Sequence, residues 1–419
     1  MKNNFKYNFF YDAFCILFIF LILLSYLFAF FSNEDSSGGG ILDFELHIFN
    51  NFLIFLNNDL NSIDWIKYDS SSLPFHYLVS KLFINTEKEY FYRTFWFYVS
   101  FLAPLLFFFL IRNLPKLDSL NNYEKILLSC SILLSPYFRT SAVWGLEENI
   151  GIILSILTLF YYFKFVQNKT NSNLILLILF SCLTFLCRQN YFFLSLLIFV
   201  LIIDKNYLFS KRNLFISFLF LFFLTPSIYF FIKWGSLMPP INLANERYTG
   251  VLHFNNIPTI LNIIFIYIFP FAVFYIKNNK FNVKFRNISI AIVLYFIYLF
   301  IFSNYHWTNN GSGALPKFFN LFINDIKIIQ FILVSLSFLS ALCIFIICIN
   351  HKILFLFFIP NILFYLNIHP VFQEYFDPIT YIFLIIFGSK QMFFSGKFKI
   401  QIILPLYLTT ILIGSIIYH

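Results

Sequence analysis

The sequence predicts an all-α, polytopic integral membrane protein, and three observations predict it. Of 419 residues, 60% are hydrophobic and only 11% are charged, too little charge for a soluble fold of this length. Apolar runs of about 17 residues or more recur along the chain, which is what a helix needs to cross a bilayer. The alternating segments of a membrane barrel are absent. Inside lipid every backbone polar group must be satisfied within its own segment, so each run reads as a helix.

The first run, 11–31, follows Lys2 and Lys6. It looks like a signal peptide, but it is long and no small-residue cleavage site follows, so it reads as an uncleaved first span. Further helices are expected at 91–111, 125–138, 149–165, 174–187, 189–203, 214–232, 258–276, 287–303, 327–350, 353–367, 378–389 and 400–417. The 125–138 and 378–389 segments are short for a span and read as tilted, broken or re-entrant. The 66 Phe residues read as composition, because Phe and Leu are near-equivalent in lipid. Cys15, Cys130, Cys182, Cys187, Cys343 and Cys348 all sit inside apolar runs, at no metal spacing, and read as filler. No linker, repeat or attached soluble domain shows, so 1–419 reads as one membrane-embedded domain.

Charge sorts the connections. With the N-terminus in the cytoplasm, the even-numbered turns and adjoining helix ends hold about 18 of the 28 Lys and Arg, while the opposite side holds about 15 of the 19 acids. This is the positive-inside pattern. The net charge of +9 is therefore a topology signal that also suits anionic membrane lipid, and no nucleic-acid motif accompanies it. The chemically rich segments all fall on the exoplasmic side: 32–90, the stretch around 139–148, CRQN at 187–190, 233–257, 304–326 and 367–377. The expected localisation is a bacterial inner membrane, or the endoplasmic reticulum in a eukaryote.

The 32–90 loop carries nine carboxylates. SNEDSSGGG at 32–40 is flexible by composition. From Ile41 to Leu56 the apolar spacing suits an interface helix, in which Asp43 and His47 share a face. A carboxylate beside an imidazole can accept a proton from a hydroxyl group; the alternative is an ordinary solvated face. Ser70, Ser71 and Ser72 lead into Leu73, Pro74 and HYLVSKLF. Pro at a first helical turn and Ser72 as N-cap would make an anion-receiving helix start, to which His76 and Lys81 can add charge, or simply a second interface helix.

Elsewhere Arg188 interrupts a long apolar stretch. It is read as binding a lipid phosphate, as pairing with Glu147 or Glu148, or as snorkelling. Glu147 and Glu148 open the helix at 149–165 and suit its positive end, with Trp144 as an interfacial anchor. Lys233, Arg247 and His253 share one loop that can bind a pyrophosphate or sugar, or present surface charge. His306, His369, Glu374 and Asp377 lack diagnostic metal spacing, so a divalent metal is allowed but not indicated. A serine nucleophile elbow, a P-loop and a dinucleotide fingerprint are missing.

Three places together resemble a known family. LDFELH at 42–47 is similar to the first-loop pattern of the membrane α-1,2-glucosyltransferases that complete the dolichol-linked oligosaccharide, with Asp43, His47 and Ile48 in the matching places. The family's adjacent Asp-Glu pair is split here by Phe44 into Asp43 and Glu45. SSSLPFHYLVS at 70–80 is similar to the family's Thr-Thr-Pro stretch, and CRQN, with Arg188 and Gln189, to its Arg-Gln-Thr-Asn. VLHF at 251–254 is a weaker echo. These enzymes are polytopic C-type glycosyltransferases, and the Phe-, Ile-, Asn- and Lys-rich composition fits a bacterial relative.

The resemblance implies an inverting hexosyltransferase that moves a sugar from a polyprenyl-phosphate donor to a glycan or lipid-linked oligosaccharide on the exoplasmic face. Asp43, or else Glu45, would be the general base and His47 its partner. Arg188 and Gln189, with His76 or Lys81, would meet the phosphate. Glu147, Glu148, Arg247 and His253 would complete the substrate contacts. The rivals are a polymerase or ligase of lipid-linked glycans, which normally places its large loops late in the chain, and a transporter, which predicts charged spans and repeat symmetry.

Overall fold

The computed structural model describes the chain except for residues 1, 71, 205–206, 208, 238, 241–251, 280–284, 308–312, 369 and 396–397. Helices dominate it. Seven of them are long and apolar enough to cross a membrane, or up to eight with one bent pair, among the described residues. The all-α polytopic reading therefore stands, and all thirteen expected segments are helical. The chain gathers into two compact units, Met1–Glu246 with Leu408–His419, and Arg247–Tyr407.

In the first unit α1 (Lys2–Phe31) is followed by a loop that is ordered, contrary to its flexible composition. The Asp35 carboxylate accepts from the backbone N–H of Gly38, Gly39 and Gly40 at 2.9–3.1 Å. Gly38 has φ 71° and Gly39 φ 142°, conformations open to glycine. The same loop is pinned from outside: Arg139 donates twice to the Glu34 carboxylate, and Ser36 donates to Pro136 O. The chain then runs through α2 (Gly40–Asp43), a π turn at Phe44–Ile48 and α3 (Phe49–Asn57). This is the helix expected at 41–56, with Phe44, Phe52 and Phe55 inward and Leu42 and Leu46 outward. A short helix, α4 (Phe75–Phe83), closes the loop.

α5 (Glu89–Ser100) and α6 (Leu102–Arg112) together form one candidate span. α7 (Asn122–Cys130), extended by a 3-10 turn to Leu134, meets α8 (Pro136–Trp144) at 69°. The bend has a local cause. Pro136 occupies the first turn of α8 and disfavours helical backbone at Ser135, whose side chain caps Phe138 N. The expected 125–138 helix is thus broken.

Next come α9 (Glu148–Asn168), α10 (Asn171–Cys187), α11 (Phe192–Ile202) and α12 (Lys211–Trp234). Hydrogen bonds show that α1 and the bent pair run between the same two ends. Tyr11 bonds Glu124 and Asn121 bonds Asp12 at one end; Arg139 bonds Glu34 and Trp144 Nε1 donates to Glu34 O at the other. The bent pair therefore covers the same length as α1, itself a candidate span.

The second unit is built on α13 (Asn256–Asn278), whose inward face is nearly continuous. α14 (Phe285–Ile301) follows; α13 packs with α15 (Ala314–Asn320), α16 (Ile326–Asn350), α17 (Lys352–Tyr365) and α18 (Ile379–Phe387), and α14 packs on α16. The Asn256 amide donates to Tyr365 O and Ile368 O, and Gln373 Nε2 donates to Tyr267 OH. A two-residue ribbon, β1 (Phe394–Ser395) with β2 (Phe398–Lys399), precedes α19 (Ile400–Tyr418).

Candidate functional site

One hydrogen-bonded network joins the first loop to the starts of α9 and α11. At its open edge His47, in the π turn, donates from Nδ1 to Asp69 Oδ2 at 2.7 Å, with both side chains about one-third exposed. Asn51, one turn on, grips the backbone of Asp69: its Oδ1 accepts from Asp69 N and its Nδ2 donates to Asp69 O. The same Nδ2 reaches Tyr77 OH at 3.4 Å. Tyr77 donates to Glu147 Oε1 at 2.7 Å, and Ser70 donates to that oxygen at 2.9 Å. Glu148 turns the other way, to Arg188 Nη1 at 2.8 Å and Ser141 Oγ at 3.2 Å.

The packing explains the placement. A core cluster of Phe52, Phe55, Trp65, Tyr68, Tyr77, Phe230 and Trp234 sits behind the network. Tyr77 stacks on Phe55 at 5.6 Å and Tyr68 on Trp234 at 6.0 Å. Tyr68 fixes the turn by donating to Ser72 O. The loop is thereby tied to the end of α12, and α9, α10 and α12 all bring residues to it.

The electrostatics divide the network. Glu147 is buried, and burial lifts its carboxyl above the ordinary carboxylate range; Arg188 and the hydroxyl hydrogen bonds pull the other way without winning. Burial, and then the Glu147 charge, push the Tyr68 and Tyr77 hydroxyls well up. A partly exposed carboxylate–imidazole pair is therefore linked to a buried carboxyl, with a cation held by its own acid nearby. Such a pair can take a proton from a hydroxyl group.

Several expected contacts come out differently. His47 is given to Asp69 rather than to Asp43, and Asp43 and Glu45 are exposed. Ser72 does not cap α4, whose N-cap is Pro74 with no side-chain bond. His76 cannot add charge to an anion: it is fully buried against Trp96, and burial pushes it down to about 3. Its Nε2 lies 2.6 Å from Tyr92 OH and 3.1 Å from Gly145 O. Lys81 donates to Asn58 O at the end of α3. Trp144 is buried under Arg93, 4.0 Å above its ring, and is no interfacial anchor.

For Arg188 the structure provides the ion pair with Glu148. Gln189 follows it in a 3-10 turn, with a buried Nε2 that has no hydrogen-bond partner. Neither Glu147 nor Glu148 caps α9 through its side chain. Lys233 is exposed in the last turn of α12. Arg247 lies outside the described residues, as does His369. His253 belongs to the second unit, where its backbone N–H donates to Leu366 O. The Gln330 Nε2 amide donates to His306 Nδ1 at 2.8 Å. No group of three His, Cys, Asp or Glu side chains suited to a metal occurs among the described residues.

The residues not singled out in the sequence are Asp69, Asn51 and Tyr77, and Ser70 is marked only as part of the serine run before α4. Asp69 stands among nine loop carboxylates, and no periodicity links positions 47 and 69. Only Asp-Ser-Ser-Ser at 69–72, a dense turn signal, marks the place. Comparison with protein families, with characterised proteins and with solved structures finds no match for this chain.

Proposed function

We propose that this chain is an inverting glycosyltransferase that moves a hexose from a polyprenyl phosphate to a lipid-linked or cell-surface glycan, on the exoplasmic face of the membrane. The observation that carries the reading is the partly exposed Asp69–His47 pair, held at 2.7 Å in the loop after the first apolar helix. In this reading the acceptor hydroxyl gives its proton to Asp69 as its oxygen bonds the anomeric carbon. The bond from that carbon to the phosphate oxygen breaks, and the polyprenyl phosphate leaves with the electron pair. His47 orients the carboxylate. Arg188, kept in place by Glu148, favours the charge that builds on the departing phosphate. The positive-inside charge pattern puts the N-terminus in the cytoplasm and this loop opposite it.

The test is the mass profile of lipid-linked glycans in a deletion strain complemented with wild type, Asp69→Asn, Asp43→Asn or Glu45→Gln at matched membrane levels. Deletion should remove one hexose-sized increment. Wild type, Asp43→Asn and Glu45→Gln should restore it, whereas Asp69→Asn should fall short by about 100-fold or more in turnover. Full restoration by Asp69→Asn takes the base role from Asp69. A profile unchanged by deletion removes the transferase reading.

A further inference from the structure

We infer that Glu147 is the positioning residue of the Asp69–His47 pair: its carboxyl fixes the 69–70 segment through Ser70 and, through Tyr77, the Asn51 side chain that grips Asp69. The inference rests on the reading of Asp69 as the base.

Glu147 is badly placed to touch a substrate. It is only 4% exposed, and its Oε1 accepts from Tyr77 at 2.7 Å and from Ser70 at 2.9 Å. It stands at the N-cap of α9 without capping it. Its backbone is tied as well, since Cys187 Sγ donates to Glu147 O at 3.5 Å. The groups facing it come from every side: Tyr68, Tyr77 and Tyr92, Ser70, Cys187, Arg188 and Glu148. A carboxyl in such a place is costly unless its bonds do something.

What they do is visible in the chain of contacts. Ser70 is the neighbour of Asp69, so the Ser70–Glu147 bond anchors the backbone one residue from the carboxylate that faces His47. Ser70 Oγ also accepts from Ser72 N, closing the turn. Tyr77 OH, held by Glu147, is within reach of Asn51 Nδ2, and Asn51 bonds both backbone groups of Asp69. Removing Glu147 frees both anchors of the 69–70 segment at once. A misplacement of about 1 Å at a reacting group can cost about 100-fold in rate.

The experiment uses the full chain in lipid nanodiscs, with Glu147→Ala, Glu147→Gln and Tyr77→Phe. Two readouts are taken: kcat against KM for the polyprenyl-phosphate hexose, and the ring-nitrogen NMR signals of His47, assigned with His47→Gln. Glu147→Ala should lower kcat by about 10- to 100-fold, leave the donor KM within about twofold, and displace the His47 signals. Glu147→Gln should restore both, because its amide oxygen still accepts from Ser70 and Tyr77. Tyr77→Phe should fall between them and carries the test if Glu147→Ala does not fold.

Wild-type kcat and unmoved His47 signals in Glu147→Ala or Tyr77→Phe overturn the inference. So does a raised donor KM with unchanged kcat, which would make Glu147 a substrate contact. Failure of the parent reading looks different: Asp69→Asn keeps full turnover while the His47 signals still respond to Glu147→Ala.

Discussion

At the scale of single residues, His76 shows how burial decides what a side chain can do. It lies in a helix that sequence marks as a candidate anion site, yet its ring is enclosed by Trp96, Tyr92 and the Gly145 carbonyl. A second proton on Nδ1 would find no acceptor, since that atom is buried without a partner. The consequence is a pH dependence of stability. The folded value is depressed from 6.5 to about 3, so the unfolded chain binds the proton first. Stability is complete above about 6.5 and falls as pH drops toward 3, by about 1.4 kcal/mol per pH unit. Glu147 acts with the opposite sign: its folded value is raised, so its contribution grows as pH falls through that value. Unfolding free energies of wild type and His76→Phe across pH 7 to 5 separate the two. The wild-type curve should fall more steeply than that of the variant, by about 1 kcal/mol per pH unit averaged over this range; parallel curves would mean that His76 titrates normally.

At the scale of elements, the helix carrying His47 is legible as a helix and illegible in its register. The apolar spacing from Ile41 to Leu56 gives the helix and its inward face. It does not give the π turn at Phe44–Ile48, a rare insertion found often at functional sites, because the turn depends on what α2 and α3 meet. The start of α2 presses on α8: a Cβ at Gly40 would run into Thr140 Cγ2 and sit 3.0 Å from Trp144 Cδ1. Thr140 must stay close, because its Oγ1 accepts from Ser37 N. Gly40→Ala should therefore destabilise by about 1–3 kcal/mol and lower activity by moving the π turn. Adding Thr140→Ser removes the offending methyl group and keeps the hydroxyl, so the double variant should recover most of the loss. A thermal-unfolding cycle in detergent checks this; no recovery would place the strain elsewhere. The same limit hid the Asp69–His47 pair. Asp43 and His47 were legible as neighbours on one helix, whereas Asp69 reaches His47 only because Tyr68 stacks on Trp234 and Asn51 grips the turn.

At the scale of the whole molecule, hydrophobic runs locate every candidate span among the described residues, because lipid imposes that pattern on each segment separately. They do not say which helices traverse, because length alone misjudges the shorter ones. At about 1.5 Å per residue, α10 is about 25 Å long, under the usual span. Yet Cys187, at its end, contacts Glu147 at the start of α9, and α9 is itself a candidate span joined to α10 by a tight turn at Lys169 and Thr170. The two therefore run antiparallel between the same ends. The return of α12 to the loop, where Trp234 meets Trp65, requires α11 to make the opposite trip. Glu34, Asp69, Glu147, Arg188 and Trp234 all gather at one end of the first unit. Sidedness follows if the charge pattern is right. The native cysteines are all buried, so single cysteines can be introduced at the exposed positions Asn61, Ser119 and Gln167 and labelled with an impermeant maleimide. Asn61→Cys should react in intact cells, and Ser119→Cys and Gln167→Cys only after permeabilisation. Labelling of Gln167→Cys from outside would contradict the passage of α7 with α8 or of α9. Reversal of all three would put the network in the cytoplasm, where a lipid-linked donor on the exoplasmic leaflet could not reach it.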